Sequence, residues 1–197
     1  MREHVTDQYV KRANAEGFRS RAAYKLQQID AKDRLLKPGM TVIDLGAAPG
    51  GWSQVAAKAV GAQGRVIALD LLEMGEVPGV TVICGDFQEQ ETLDRVEQAL
   101  GEARVDVVLS DMAPNMSGIA SADQARAIGL AELALEFAVK HLKPQGNLLV
   151  KTFHGAGYDG LVNTLRRTFR EVLTRKPDAS RSRSSEVYLL GKGLRAS

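Results

Sequence analysis

One cysteine in 197 residues leaves no room for an internal disulfide. That cysteine, Cys84, sits in an apolar run, which fits a reducing setting, and the cytoplasm is the expected location. No apolar run approaches the ~18 residues that a membrane span needs. The segment from Met1 to Arg12 is polar and lacks the apolar stretch of a secretory signal. Aromatic residues make up only 5% of the chain, which limits stacking on nucleic-acid bases to a few candidates such as Tyr24 and Phe153. His4, His141 and His154 share no metal-ligand spacing, and without a cysteine cluster no metal site is expected. Repeats and low-complexity linkers are absent too.

What is present is a chain long enough for one core, and a single domain over residues 1–197 is expected. The net charge of +2 hides a segregation. Residues 1–37 carry nine Lys and Arg against five Asp and Glu, residues 38–150 seven against fifteen, and residues 151–197 ten against four. Two basic ends flank an acidic middle. Folded onto one face, the ends would form a footprint for a polyanion.

Short apolar runs alternate with helical patterns. Thr41–Leu45, Arg65–Leu69, Val80–Cys84, Val105–Ser110 and Gly146–Thr152 read as buried strands. Gly51–Val60, Gln90–Leu100 and Ala122–Leu142 read as helices between them, with turn signals at Pro38–Gly39 and at Pro144–Gly146. A helix near Tyr158–Phe169 and strands near Glu171–Arg175 and Glu186–Leu190 follow. Residues 1–37 read as a polar lead-in with one helix near Ser20–Ile29, ahead of a core over 38–197. The pattern predicts an α/β fold: a mostly parallel seven-stranded sheet, helices on both faces, and a closing hairpin that supplies an antiparallel edge strand.

The segment Val42-Ile-Asp-Leu-Gly-Ala-Ala-Pro-Gly-Gly-Trp52 carries the most information. A strand runs into a glycine-rich turn and then a helix, and ligands of open parallel sheets bind beyond the carboxyl ends of strands. Gly46, Gly50 and Gly51 let a ligand approach the backbone. Ala48 stands where a dinucleotide fingerprint needs glycine, and no Gly-Lys-Ser/Thr follows, so neither that site nor a P-loop is present. Asp44, at the strand end, points instead to a ligand with positive charge. Asp70 ends the second strand, where an acid can accept both hydroxyls of a ribose. Asp86 follows the third, placed to accept from an adenine amino group.

This pattern resembles the Rossmann-like methyltransferases that bind S-adenosylmethionine. The string Asp-Leu-Gly-Ala-Ala-Pro-Gly-Gly-Trp is similar to that of the FtsJ family of RNA 2′-O-methyltransferases, and the resemblance covers about residues 5–191. It implies cofactor contacts at Gly50, Trp52, Asp70, Asp86 and Asp111. It also implies a catalytic Lys-Asp-Lys-Glu tetrad at Lys25, Asp111, Lys151 and Glu186. From residue type alone, a helical lysine such as Lys25 or a strand glutamate such as Glu186 reads as solvated surface. Lys151 is different: a lysine closing a buried strand is costly unless it reaches a cleft or a carboxylate, and Asp111 ends the neighbouring strand.

The chemistry suits these groups. A ribose 2′-hydroxyl is a poor nucleophile until its proton leaves or its oxygen is stabilised, whereas a methyl group on a sulfonium needs little beyond alignment. Lys151 is the residue expected to activate the hydroxyl, as a neutral base or as a cation beside the forming alkoxide. Lys25 and Glu186 would orient the ribose. A 2′-hydroxyl selects RNA over DNA, and Arg19, Arg21, Lys32, Arg34, Arg175, Lys176, Arg181 and Arg183 are the candidate phosphate contacts. The family implies a uridine of 23S rRNA, in the assembled large ribosomal subunit, as substrate. A monomer is the default. Action on tRNA or another RNA, a non-catalytic RNA-binding role and a nicotinamide oxidoreductase remain the alternatives.

Overall fold

The computed structural model describes residues 4–180 and 184–195. Its centre is a seven-stranded sheet. The strands are β1 (Thr41–Leu45), β2 (Arg65–Asp70), β3 (Val80–Cys84), β4 (Val105–Ser110), β5 (Leu142–Phe153), β6 (Phe169–Arg175) and β7 (Glu186–Leu194). They lie in the order β3-β2-β1-β4-β5-β7-β6. The pairs from β3 across to β5 are parallel, and β7 enters antiparallel between β5 and β6. The closing hairpin forms as the sequence predicts, with β6 on the edge and the reversed strand one place inside it.

Among the described residues, six helices flank the sheet: α1 (His4–Ala15), α2 (Ala23–Asp33), α3 (Gly51–Val60), α4 (Gln90–Leu100), α5 (Ala120–His141) and α6 (Tyr158–Thr168). Strands buried on both sides need near-continuous apolar runs, and β1, β2 and β4 have them apart from Asp44 and the polar residues at their ends and at Asp106. Alternation then divides these side chains between two cores. Ile43, Leu45 and Val108 meet Val96 of α4, Leu135 of α5 and Leu165 of α6 on one face. Val42, Val107, Leu109, Leu149 and Leu190 meet Leu26 of α2 and Val55 of α3 on the other.

Two departures from the sequence reading have local causes. The turn signal at Pro144–Gly146 lies inside β5. Val105 pairs with Leu142 and Val107 with Asn147, so the extra residues form a bulge, with Gln145 at φ 70°. The lead-in holds a helix of its own, α1. Its apolar contribution is small: Ala13 packs against Tyr24 and Ala179, with Tyr9 and Phe18 alongside. So short an apolar face leaves no 3.6-residue stripe to read.

Candidate active site

The order of strands explains where the charged residues meet. Leu109 and Leu149 face α2 and α3, so Asp111 and Lys151, two residues on, continue onto that face at the carboxyl edge. Lys151 pairs with Tyr188 across β5 and β7, and Phe153 pairs with Glu186. Directly opposed residues share a face. Lys25 arrives from α2, on the same side.

These groups form one chain of contacts. Lys151 Nζ donates to the Asp111 carbonyl oxygen at 2.6 Å and lies 3.2 Å from Asp111 Oδ1. The Tyr188 hydroxyl donates to Asp111 Oδ1 at 2.6 Å. Lys25 Nζ donates to Glu186 Oε1 at 2.7 Å and to the Tyr188 hydroxyl at 3.1 Å. Ser180 Oγ donates to the same Glu186 oxygen at 2.9 Å. Lys25 and Lys151 are each 8% exposed, so both ammonium groups depend on these partners. Burial pushes the Glu186 carboxyl up, but the hydrogen bond and charge of Lys25, aided by Ser180 and Lys151, win and hold it below the usual range. Tyr188, fully buried, is held well above the ordinary phenol range by burial and by the charges of Asp111 and Glu186. Tyr188 and Ser180 were not singled out from the sequence. The signal for Tyr188 was its spacing: two residues after Glu186 in a strand, hence on the same face.

Beside this chain, at the ends of β1, β2 and β4, opens a cleft of about 460 Å³. Gly46, Asp70, Asp86, Asp111, Pro114 and Asn115 line it, together with apolar Leu71, Leu72, Phe87, Met112 and Leu130. Among the described lining residues there are three carboxylates and no Lys, Arg or His. A pyrophosphate would meet unbalanced negative charge there. A cation that also carries hydroxyl and amino donors, with an apolar body, finds matching groups. Gly46 keeps the floor open: at φ +73° it is strained for other residues, and a Cβ would lie 2.5 Å from Met112 Cγ. Asp70 accepts from Ala48 N and from Leu72 N, both at 2.8 Å, and so ties the glycine-rich turn to the loop after β2. Each carboxylate oxygen keeps a second lone pair for a ligand hydroxyl. Asp86 accepts from Gln88 N through Oδ1.

Other sequence-predicted residues lie elsewhere. Asp44 alternates with Val42 onto the α3 face, is wholly buried, and accepts from Ser53 Oγ at 2.7 Å. Burial, with the charges of Asp111 and Asp70, raises its carboxyl to about 7 against the opposing Ser53 hydrogen bond. The Trp52 ring is 3% exposed, donates through Nε1 to Ala22 O, and packs against the Tyr188 ring rather than lining the cleft. Gly50 caps α3 at φ 110° and is not a lining residue either.

The basic candidates also divide. Arg19 donates to the carbonyls of Pro49, Gly75 and Glu76. Arg175 forms a two-pronged pair with Asp33, and Lys176 donates to Ser184 O. Arg21 is half-buried, while Lys32 and Arg34 are exposed. Arg181 and Arg183 lie outside the described residues. Of the stacking candidates, Tyr24 is buried with its hydroxyl on Glu16, and Phe153 borders the site. No three His, Cys, Asp or Glu among the described residues are grouped to hold a metal ion, and no described helix is long and apolar enough to cross a membrane.

A family model for FtsJ-like methyltransferases matches residues 18–194, which spans α2, the cleft and all four tetrad positions. The chain belongs to the FtsJ-like methyltransferase family. Among similar proteins, ribosomal RNA large subunit methyltransferase E of Methylobacillus flagellatus is 60% identical over 191 residues, 97% of this chain and 92% of its own length. The protein of the same name from Thiobacillus denitrificans is 61% identical over 192 residues, 98% of this chain and 87% of its own length. A solved structure from Plasmodium falciparum, assigned as a ribosomal RNA methyltransferase, superposes with a TM-score of 0.82 at 28% identity, covering 91% of this chain and 100% of that one. An FtsJ-like methyltransferase needs a methyl donor.

Proposed function

We propose that this FtsJ-like enzyme transfers a methyl group from S-adenosylmethionine to the ribose 2′-hydroxyl of a uridine in 23S rRNA, within the assembled large ribosomal subunit. It works as one cytoplasmic domain spanning residues 1–197 and as a monomer. The observation that carries this reading is the buried chain Lys151–Asp111–Tyr188–Lys25–Glu186 beside a cleft with three carboxylates and no basic residue among the described residues that line it. The names of the similar proteins supply the substrate class.

The cleft residues have distinct parts in this reading. Asp70 takes the ribose hydroxyls of the donor, Asp86 its adenine amino group, and Asp111 lies next to its positive sulfur. When bound, S-adenosylmethionine supplies a methyl carbon on a good leaving group. What remains for the protein is to hold the acceptor ribose and to remove its proton. A neutral Lys151 has two N–H bonds and one lone pair. Asp111 O at 2.6 Å and Oδ1 at 3.2 Å take the two N–H bonds, which leaves the lone pair for the 2′-hydroxyl proton. Lys151 Nζ would take the proton that the 2′-hydroxyl gives up as the donor's carbon–sulfur bond breaks, and the Asp111 carboxylate would stabilise the new charge. Lys25 and Glu186 hold the ribose through hydrogen bonds that Tyr188 and Ser180 keep in register.

The test is transfer of labelled methyl from S-adenosylmethionine to large ribosomal subunits from cells lacking this protein, with naked rRNA and tRNA alongside. Label on one uridine 2′-oxygen of the subunit is the expected result. Lys151→Ala should bind the methyl donor with unchanged affinity and lose transfer by at least roughly a hundredfold. Near wild-type transfer by that variant would remove Lys151 from the mechanism. Label on none of the RNAs would overturn the reading.

A further inference from the structure

We infer that a second cleft, which shares Pro114 with the first, receives the base of the acceptor nucleotide, and that Gln124 reads the N3–H of uracil there. This rests on the proposed transfer to a ribose. The cleft is about 450 Å³ and is lined by Pro114, Met116, Gln124, Phe153, His154 and Ser185, among others. Phe153 follows Lys151 by two residues and stands opposite Glu186, so the cleft begins where the tetrad ends. A base joined to a ribose at the tetrad lies within reach of it.

The Gln124 amide is fixed in one orientation. Its Nε2 is 3.1 Å from the Phe153 carbonyl and 3.1 Å from the Ala156 carbonyl. Two carbonyls can be met only by the nitrogen, whose two hydrogens are thereby committed. The group the amide has left to offer is Oε1, an acceptor. Gly155 closes the turn on it: a Cβ there would lie 3.0–3.2 Å from the amide atoms. Uracil presents a donor at N3, whereas cytosine presents an acceptor at the same place, so a fixed acceptor favours the first.

The walls suit a flat ring. The His154 ring packs on Tyr158 with centroids 4.5 Å apart, and its backbone N–H is held by Ser185 O at 3.0 Å. Met116 is 73% exposed, an unusual position for a large apolar side chain. Its loop is not slack, because Asp123 accepts from Ser117 N, Ser117 Oγ and Gly118 N. Pinned apolar surface beside a reaction centre is what a stacked base would cover.

The experiment compares methyl transfer to large subunits carrying uridine or cytidine at the mapped acceptor position. The wild type should prefer uridine by on the order of a hundredfold in kcat/KM, since a mismatched polar pair leaves buried acceptors facing each other. Gln124→Leu should bring that preference to within about threefold while calorimetry finds donor affinity unchanged. His154→Ala, at an exposed ring, should raise KM for both acceptors about tenfold and keep the preference. A Gln124→Leu enzyme that still prefers uridine as the wild type does would overturn the inference. NMR titration with uridine, read at the His154 ring protons, tests the cleft apart from activity. Shifts that vanish in Gln124→Leu support it, even were the subunit not the substrate, and no shift in the wild type refutes it even if methyl transfer proceeds.

Discussion

The Tyr188 hydroxyl stands between two ion pairs, 2.6 Å from Asp111 Oδ1 and 3.1 Å from Lys25 Nζ. It has one hydrogen to give, and Asp111 takes it; Lys25 in turn donates to its lone pair. Because burial and two neighbouring carboxylates raise its pKa, that hydrogen is retained throughout the neutral range. Tyr188→Phe keeps the ring that packs on Trp52 and removes only the hydroxyl. Bonds to charged groups are worth about 1.5–3 kcal/mol. The variant should therefore show a kcat roughly tenfold to a hundredfold lower in single-turnover methyl transfer, with donor affinity unchanged. A wild-type kcat would reduce Tyr188 to a packing role. At this scale the sequence was legible for charge and illegible for partnership. Lys25, Asp111, Lys151 and Glu186 were all named from a motif and all lie in one bonded chain. A tyrosine in a strand carries no such mark, because its hydroxyl matters only once β5, β7 and α2 have converged.

Between α1 and α2, Arg19 does for elements what Tyr188 does for side chains. Its guanidinium meets the carbonyls of Pro49, Gly75 and Glu76, and so clamps the glycine-rich turn before α3 to the loop between β2 and β3. That loop carries Leu71 and Leu72, which line the carboxylate-lined cleft and are each 68% exposed. Arg19→Ala should leave the loop held chiefly by Asp70, and the Kd for S-adenosylmethionine should rise about tenfold by calorimetry. Arg19→Lys should not restore it, since a single ammonium cannot span the three carbonyls as a planar fork does. An unchanged Kd would show that the loop holds its place without the clamp. The sequence offered Arg19 as a phosphate contact because a positive charge in a basic lead-in is all that a sequence displays. The same holds for Arg175, whose partner Asp33 is 142 residues away. Elements with strong local patterns fared differently. β1 to β4 and α3, α4 and α6 stand within a residue or so of their predicted bounds, since buried parallel strands and amphipathic helices write their periods into the chain. The helix α1 and the bulge in β5 depend on contacts made after folding, with Tyr24 and Ala179 in one case and with β4 in the other.

Over the whole molecule, four acids of the middle segment, Asp44, Asp70, Asp86 and Asp111, gather at one edge of the sheet, and the fold bears a cost for it. Asp70 and Asp111 face the carboxylate-lined cleft, and Asp44 lies buried behind them with no hydrogen-bond partner for Oδ1 among the described residues. Burial, with the charges of Asp111 and Asp70, outweighs the Ser53 hydrogen bond, so the carboxyl titrates at about 7 in the folded chain, against ~3.9 when unfolded. The folded state thus binds the extra proton more tightly, and the stability this confers is full below pH ~4 and is lost as pH rises through about 7. Glu186 and Asp33 act in the opposite sense. Their folded values are lowered, so their contribution is present above the ordinary carboxylate range and disappears as acid protonates them. Between these limits Asp44 pulls the melting temperature down as the buffer is taken from pH 5 to pH 8, while His141, held below the ordinary imidazole range by burial, pulls it up as its proton leaves, so the Asp44 contribution is read against a variant that lacks it. Asp44→Asn cannot ionise and keeps an oxygen for the Ser53 hydroxyl. It should begin less stable at pH 5, where its amide adds an unpaired donor, and should lack the Asp44 fall up to pH 8. The difference in slope should amount to a few kcal/mol at most. Parallel melting curves for the two proteins would mean that Asp44 is already ionised at pH 5 and that its negative charge is part of the site.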